Sequence, residues 1–219
     1  ESALQKGRAV AARLLQSDTE TVVFRSGNFI AADGRAVSLF DVASAARQPE
    51  FGFESGLDSS WHWDDAPITW PAGCHAAEVE IDPETGVVQL LSYKAIDDYG
   101  KLLDRQLTEG QVQGGLAQGI GQALREQIVY DQNGQCLTAT LMDYAAPYAN
   151  DLPNLEVHFE ASMTEANPLG VKGSGQAGAI AASQTVMNAV ADALAYAGVA
   201  PIDMPATPEK VWSAIKAAK

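Results

Sequence analysis

The sequence predicts an α+β fold, because strand pairs joined by short turns are interleaved with amphipathic helices. The pattern lacks the regular β–α–β alternation that produces parallel sheets. Of the 219 residues, 47% are apolar, which is enough to bury a sizeable core. The chain should therefore form one large domain or two small ones.

Residues 1–50 are predicted to form a helix, a hairpin and a second helix. Small and apolar residues recur at helical spacing over 4–14 and again over 38–47. The hairpin strands are Thr21–Phe24 and Phe29–Ile30 around Ser26-Gly27-Asn28, with Asp33-Gly34 as the next turn. Residues 51–74 are rich in Gly, Pro, Trp and Asp without a clean period, which predicts a long loop.

The main part, 75–219, opens with the clearest local pattern. Ala77, Val79 and Ile81 alternate with glutamates as in a half-buried strand, a turn follows at 82–86, and 87–96 returns as the partner strand. Four more elements are predicted further along. The first two are a hairpin with a type I′ turn at Asn133-Gly134 between 128–130 and 136–138, and a strand at 155–160. The third is a helix from Ala177 to Ala197, with Met187, Val190, Leu194 and Ala197 on one face. The fourth is a last helix that starts at Thr207-Pro208 and carries Val211, Trp212 and Ile215 inward.

Composition excludes several classes of protein. With 28 acidic and 14 basic residues the formal net charge is −14, and no Lys/Arg run could follow a phosphate backbone, so no nucleic-acid partner is expected. Cys74 and Cys136 lack the spacing of a zinc or iron–sulfur site. No stretch has the roughly 20 apolar residues that a membrane span needs. We expect a cytoplasmic protein, or a periplasmic one if a longer precursor carries a signal.

A glycine-rich segment, 109–124, has the apolar spacing of a helix although four glycines interrupt it. Each interior glycine costs about 0.8–1 kcal/mol relative to alanine, so something should approach this backbone closely. One explanation is another helix packed on Gly115 and Gly119. The other is a polar ligand received by the glycines and by the side-chain amides of Gln111 and Gln113.

A second glycine-rich segment, Asn167–Gly178, ends where the long helix begins. Its Gly173-x-Gly175-x-x-Gly178 formally matches a dinucleotide fingerprint, but no buried strand precedes it, so a Rossmann site is not expected. A glycine-rich turn that enters a helix N-terminus favours an anion or a developing negative charge. The alternative is a tight turn with nothing bound.

Other candidate groups are weak. The histidines, His62, His75 and His158, are far apart and are interpreted as hydrogen-bonded polar residues rather than metal ligands. The doublets Asp64-Asp65 and Asp97-Asp98 are interpreted as turn or surface features, because adjacent strand residues point to opposite faces. Asp98, just before Tyr99-Gly100, is the better candidate for a local structural bond.

Several motifs, taken in order, resemble those of the molybdenum-pterin (large) subunit of the xanthine dehydrogenase / aldehyde oxidase family, specifically its C-terminal part. They are His75 with Ala77–Gly86, Asp97-Asp98-x-Gly100, Gly110-Gln111-Val112-x-Gly114-Gly115-x-x-Gln118-Gly119-Ile120-Gly121, Asp143-Tyr144-x-x-Pro147, Gly170-Val171-Lys172-Gly173-x-Gly175, and the tail from Asn188-Ala189-Val190 to Val211-Trp212. Their shared order covers residues 1 to about 215.

The resemblance implies the second half of a molybdenum cofactor-binding domain, with hairpins and short sheets packed against helices. It implies a molybdopterin-type cofactor, possibly the cytosine dinucleotide form, shared with the N-terminal part of the subunit, and iron–sulfur and flavin groups on partner domains or subunits. By the same resemblance Gln111 contacts the pterin, while Lys172, Gly173, Ser174 and Gly175 lie beside the metal. The small-molecule substrate would be an aldehyde or an N-heterocycle.

The sequence departs from the family at Gln176, which occupies the position of the catalytic glutamate base. An amide cannot take up a proton near neutral pH, and general-base assistance typically contributes about 10²–10⁴ in rate. We therefore expect an atypical or weakened hydroxylase. A non-catalytic structural or assembly module of the same fold is the alternative.

Overall fold

The computed structural model describes residues 2–53, 55–60, 62 and 67–218, which form two compact units, 1–65 and 66–219. The division falls inside the predicted loop 51–74. Parts of that loop, and the doublet Asp64-Asp65, lie outside the described residues.

The first unit has the predicted helix, hairpin and helix. Helix α1 (Ser2–Leu14) precedes an antiparallel sheet of β1 (Val23–Arg25), β2 (Asn28–Ile30) and β3 (Ala36–Ser38), and α2 (Leu39–Ala46) follows. The core forms around Phe29, which is fully buried. A Cβ on Gly7 would overlap the Phe29 ring, so this glycine lets α1 approach the sheet.

The first unit differs from the prediction in two details. Thr21, the first residue of the predicted first strand, instead ends a 3₁₀ turn, Thr19–Thr21, at whose start the Asp18 side chain accepts the Glu20 N–H at 3.1 Å. Strand β3 was not predicted, and Ser38 is the N-cap of α2, where its hydroxyl accepts the Asp41 N–H at 3.1 Å.

The second unit contains the main sheet and three helices. Strands β4 (Ala72–Ile81), β5 (Val88–Asp98) and β6 (Leu155–Phe159) lie in the order β4-β5-β6, with β4 antiparallel and β6 parallel to β5. Helices α3 (Arg105–Leu124), α4 (Ala177–Ala195) and α5 (Pro208–Ala217) share one core with the sheet. The predicted α+β class is confirmed.

The predicted 77–96 hairpin is confirmed, but its first strand is longer than predicted. β4 starts at Ala72, so the last residues of the predicted loop belong to the sheet. Residues 72–74 are exposed and carry no alternating apolar pattern, and they join the sheet through backbone pairing with the end of β5. A register shift between Glu78 and Val79 marks a β-bulge, which interrupts the alternation of buried residues along β5.

The second predicted hairpin is only partly correct. Its arms form a single bridge, Tyr130 to Cys136, rather than two strands. The turn is not type I′, which requires positive φ at both central residues, because only Gly134 has one, at 81°. Instead the Asp131 side chain accepts the N–H groups of Asn133 at 2.8 Å and Gln135 at 2.9 Å, which folds the five-residue loop 131–135.

The two C-terminal helices also correct the prediction in detail. Helix α4 ends at Ala195, and Ala197, predicted on its buried face, is exposed beyond the end. Helix α5 has the predicted cap, with the Thr207 hydroxyl accepting the Lys210 N–H at 3.4 Å. Trp212, predicted to point inward, is 40% exposed. Its backbone lies against the β4–β5 turn, where a Cβ on Gly86 would lie 2.6 Å from the Trp212 nitrogen.

Candidate functional site

Helices α3 and α4 cross with their backbones nearly in contact. A Cβ on Gly115 would lie 2.8 Å from the Ala179 nitrogen, and one on Gly119 would lie 2.5 Å from the Ala182 Cβ. Gly178, in the first turn of α4, has no room for a Cβ against a backbone carbonyl of α3. The helix-packing explanation is therefore confirmed for these glycines, and α3 is one unbroken helix.

Four other glycines on the same side of the unit are not explained by packing. Apart from the adjacent residues and, in α3, the nearby backbone of the helix itself, no described atom lies within 4 Å of a Cβ built on Gly110, Gly114, Gly173 or Gly175, and none of the four has a positive φ. In α3 such glycines cost about 0.8–1 kcal/mol each relative to alanine. Because these glycines lack a side chain, they leave free space outside the protein surface rather than inside the packed core.

Gln111 lies between these open glycines and connects the two segments. From α3 its side-chain amide donates to the Gly175 carbonyl oxygen at 2.5 Å, across 64 residues of sequence. An amide carries two N–H donors and a carbonyl acceptor, so this bond uses one of its hydrogen-bonding groups. The structure thus brings Gln111 to the turn 172–176.

The other end of this turn is held by the residues that follow β5. The Lys172 N–H donates to the Tyr99 carbonyl at 2.8 Å, and the Lys101 N–H donates to the Gly170 carbonyl at 3.0 Å. Gly100, between them, has φ 62°, and a Cβ there would overlap the Gly170 carbonyl. Only glycine meets both requirements, so the two backbone segments are joined at a fixed spacing.

An ion pair strengthens the same connection. The Lys172 ammonium donates to an Asp98 carboxylate oxygen at 2.6 Å, and the two side chains are only 13% and 17% exposed. The other oxygen accepts the N–H groups of Gly100 at 2.8 Å and Ser162 at 3.0 Å. Burial raises the pKa of Asp98, but the Lys172 bond and the two amides outweigh it, so the pKa lies below its ordinary value. The predicted structural role of Asp98 is confirmed.

Gln176 is the N-cap residue of α4 and is exposed. Its backbone angles are φ −115° and ψ 6°, and its side chain makes no capping bond to the helix. The first-turn N–H groups of a helix lack intrahelical partners and form its positive end. Gln176 therefore stands beside an electropositive helix end, next to the turn of Gly173, Ser174 and Gly175.

A buried polar group near this turn was missed by sequence reasoning. Asp97, interpreted as a surface or turn residue, is 3% exposed, and that interpretation was wrong. Its carboxylate contacts the His75 Nε2 at 3.0 Å and accepts the Tyr99 hydroxyl at 3.0 Å. The other His75 nitrogen contacts the Tyr93 hydroxyl at 2.9 Å, so His75 is hydrogen-bonded as predicted. Alternation along β5, with Tyr93 and Asp97 on its buried face, was the available signal.

Electrostatics agree with this burial. Burial raises the pKa of Tyr93 to about 12, with a contribution from the Asp97 charge, while a hydrogen bond with Thr185 of α4 opposes the increase. Burial, followed by the charge and hydrogen bond of Asp97, also raises the pKa of Tyr99. Both phenols therefore stay protonated at neutral pH and can act as donors.

A groove of about 820 Å³ lies elsewhere on the second unit. Its wall includes Leu90, Ile120 and Thr207 and the ion pair of Arg125 with Asp151, whose atoms are 2.5 Å apart. None of the six site residues expected from the sequence lines it.

The part of the chain that the structure describes offers neither a metal-ligand cluster nor a membrane-spanning helix. Within the described ranges, no three His, Cys, Asp or Glu side chains are grouped so that they could hold a metal ion. No described helix is long and apolar enough to cross a membrane.

Known proteins match this fold and sequence over nearly the whole chain. The molybdopterin cofactor-binding domain family matches residues 1–153. The large subunit of nicotine 6-hydroxylase from Paenarthrobacter nicotinovorans is 39% identical over 219 residues, which covers 97% of this chain and 27% of that protein. The carbon monoxide dehydrogenase large chain from Hydrogenophaga pseudoflava is 32% identical, covering 96% of this chain and 27% of that one.

A solved structure agrees with these matches. Quinoline 2-oxidoreductase from Pseudomonas putida 86 superposes with a TM-score of 0.83 at 32% identity, covering 98% of this chain and 28% of its own. The chain thus spans about a quarter of the length of the relatives it matches. It belongs to the molybdopterin cofactor-binding family of the xanthine dehydrogenase / aldehyde oxidase type, the molybdenum hydroxylases.

Proposed function

We propose that the surface of open glycines around the Gln111–Gly175 bond receives the pterin of a molybdenum cofactor. The supporting observation is that Gly110, Gly114, Gly173 and Gly175 have room for a Cβ yet carry none. A flat ring system needs such close access to backbone, since hydrogen bonds require heavy-atom distances of about 3 Å. The residues present therefore fit the cofactor that the family binds.

Each predicted site residue has a role in this proposal. Gln111 presents its remaining amide groups to the ring edge while it holds the turn. The backbone of Gly173, Ser174 and Gly175 faces the metal side of the cofactor, and Lys172 fixes the turn through Asp98. The N-terminus of α4 favours negative charge at this place. The cofactor itself would supply two-electron oxidation and oxygen transfer.

The substrate is proposed to be a small organic molecule, an N-heterocycle in preference to an aldehyde. Nicotine 6-hydroxylase and quinoline 2-oxidoreductase, two of the similar proteins, are named for N-heteroaromatic compounds. Residues that select the substrate would come mostly from the rest of the large subunit.

Gln176 makes this enzyme atypical. It stands at the exposed end of α4, beside the proposed metal side of the cofactor. Its amide can orient a substrate or a water molecule by hydrogen bonds, but it cannot accept a proton near neutral pH. We propose slow or altered hydroxylation at this site.

The proposed partners are the N-terminal part of the large subunit and subunits or domains that carry iron–sulfur clusters and flavin. Two apolar side chains near the start of α3, Leu103 and Leu107, are 71% and 73% exposed, which supports contact with another polypeptide. The molybdopterin cytosine dinucleotide form and a cytoplasmic location are also proposed.

The test is the molybdenum and pterin content of the intact enzyme carrying Gln111→Ala. Gln122→Ala is the matched control, because Gln122 is an exposed glutamine three turns further along α3. We expect Gln111→Ala to lose most of its cofactor and Gln122→Ala to keep it. Equal contents in both variants would contradict the assigned site.

Gln176 also favours a second candidate function, a structural or assembly module of the same fold that no longer carries out hydroxylation. In that case the intact complex would assemble normally with no molybdenum or pterin in it.

A further inference from the structure

We infer that the buried hydrogen-bond network of His75, Tyr93, Asp97 and Tyr99 positions the turn that carries Gln176. This inference rests on the proposed function, since the turn is the segment assigned to the cofactor. The network lies behind the turn and provides no surface to a ligand. Its members are positioning residues.

Hydrogen-bonding capacity assigns a direction to every bond in the network. Both oxygens of the Asp97 carboxylate accept, one from the Tyr99 hydroxyl and one from His75 Nε2–H. His75 Nδ1 then accepts from the Tyr93 hydroxyl. All four side chains thus have hydrogen-bond partners inside the protein, and a fully satisfied buried network fixes the positions of its members.

Residues of β4, β5 and β6 enclose the network. A Cβ on Gly73 of β4 would overlap an oxygen of the Asp97 carboxylate, so this glycine provides the space that the carboxylate fills. The His75 and Asp97 side chains are almost completely buried. The Tyr99 ring packs near Phe159 of β6, at 5.8 Å between ring centroids. Strands β4, β5 and β6 therefore all contribute to holding Tyr99.

Tyr99 connects the hydrogen-bond network to the turn 172–176. Its hydroxyl is bound to Asp97, and its backbone carbonyl accepts the Lys172 N–H. The preceding residue, Asp98, binds the Lys172 ammonium. Lys172 is four residues before Gln176, and Gln111 holds the intervening Gly175 from the other side. A shift of Tyr99 would therefore move the turn relative to α3, and misplacement by about 1 Å can lower a catalytic rate about 100-fold.

The test is Tyr99→Phe in the intact enzyme, because phenylalanine keeps the ring and removes only the hydroxyl. We expect amide exchange at Lys172 and Lys101 to rise about tenfold while exchange at the centre of the β4–β5 hairpin stays at the parent value. We expect kcat per bound molybdenum to fall about tenfold with KM within about twofold of the parent. Tyr196→Phe, at an exposed tyrosine just after α4, is the control and should match the parent.

Two results would overturn the inference. One is parent-like exchange at Lys172 together with a parent-like kcat per molybdenum. The other is faster exchange throughout the hairpin with kcat per molybdenum unchanged, which would indicate a purely structural network. If Tyr99→Phe fails to assemble, Asp97→Asn, which keeps the size of the side chain but changes its donors and acceptors, is judged by the same measurements.

Exchange requires neither turnover nor bound molybdenum. A parent enzyme with neither turnover nor bound molybdenum would contradict the proposed function. The location of the exchange increase in Tyr99→Phe would still decide whether the network controls the turn.

Discussion

Alanine should stabilise the chain at Gly114 but not at the neighbouring Gly115. Gly114 has open space, so Gly114→Ala should gain the roughly 0.8–1 kcal/mol that alanine contributes in a helix interior. A Cβ on Gly115 would lie 2.8 Å from the Ala179 nitrogen, a backbone atom that cannot rotate away. Overpacking costs about 1–3 kcal/mol, so Gly115→Ala should lose about 0–2 kcal/mol net.

The first assay is thermal unfolding followed by circular dichroism. At about 2–4 °C per kcal/mol for a chain of this size, Gly114→Ala should raise Tm by about 2–4 °C, and Gly115→Ala should leave it equal or lower it by up to about 8 °C. The second assay is the molybdenum retained by the intact enzyme after dialysis. Gly114→Ala should reduce it, because a methyl group against a bound ring costs about 1–3 kcal/mol, or roughly 5- to 150-fold in affinity. A Gly114→Ala enzyme that is more stable and fully loaded would refute the role given to the open glycines, and a stabilised Gly115→Ala would refute the packing argument.

Three further predictions concern Gln176, Lys172 and Tyr93. Gln176→Glu in the intact enzyme should increase turnover of an N-heterocycle or aldehyde by about 10²–10⁴-fold, and a rate no higher than the parent's would contradict the view that the amide limits hydroxylation. Lys172→Met leaves the Asp98 carboxylate without its cation. The free energy of unfolding, measured in urea, should therefore fall by about 2–3 kcal/mol. A change under about 0.5 kcal/mol would contradict the stabilising role given to the ion pair. The pKa of Tyr93 is raised to about 12 from the ordinary 10.0, so between these pH values Tyr93 ionises only in the unfolded chain. The contribution of Tyr93 to the free energy of unfolding should be fully retained below pH 10 and fall by about 2–3 kcal/mol as pH rises to 12. Tyr93→Phe should reduce the measured fall by that amount, and the part that remains should include the contribution of Tyr99, whose pKa is also raised.

The parts of the fold that the sequence predicted correctly are those where local patterns determine structure. Alternation at Ala77, Val79 and Ile81 locates β4 because one face of that strand is partly buried against the core and the other is exposed. Thr207 with Pro208 locates the start of α5 because a cap residue and a first-turn proline are local requirements. The start of β4 was missed because its first residues pair through the backbone while their side chains stay exposed.

The candidate site could be predicted only in part. The sequence indicated that the glycines of α3 are closely approached by another group, but helix packing and ligand access give the same sequence pattern. Only the structure distinguishes Gly115, which is packed, from Gly114, which is open. The bond from Gln111 to Gly175 joins residues 64 positions apart and has no local signal. Asp97 was misassigned because two adjacent aspartates are typical of turns and exposed surfaces. Its partners His75 and Tyr99 come together with it only in the folded sheet.

The most direct test of the central claim is the molybdenum and pterin content, per mole of chain, of the enzyme purified natively with its partner subunits. The proposed function predicts close to one molybdenum and one pterin for each chain. Neither group in a preparation that contains the full set of partners would contradict cofactor binding and favour the structural module.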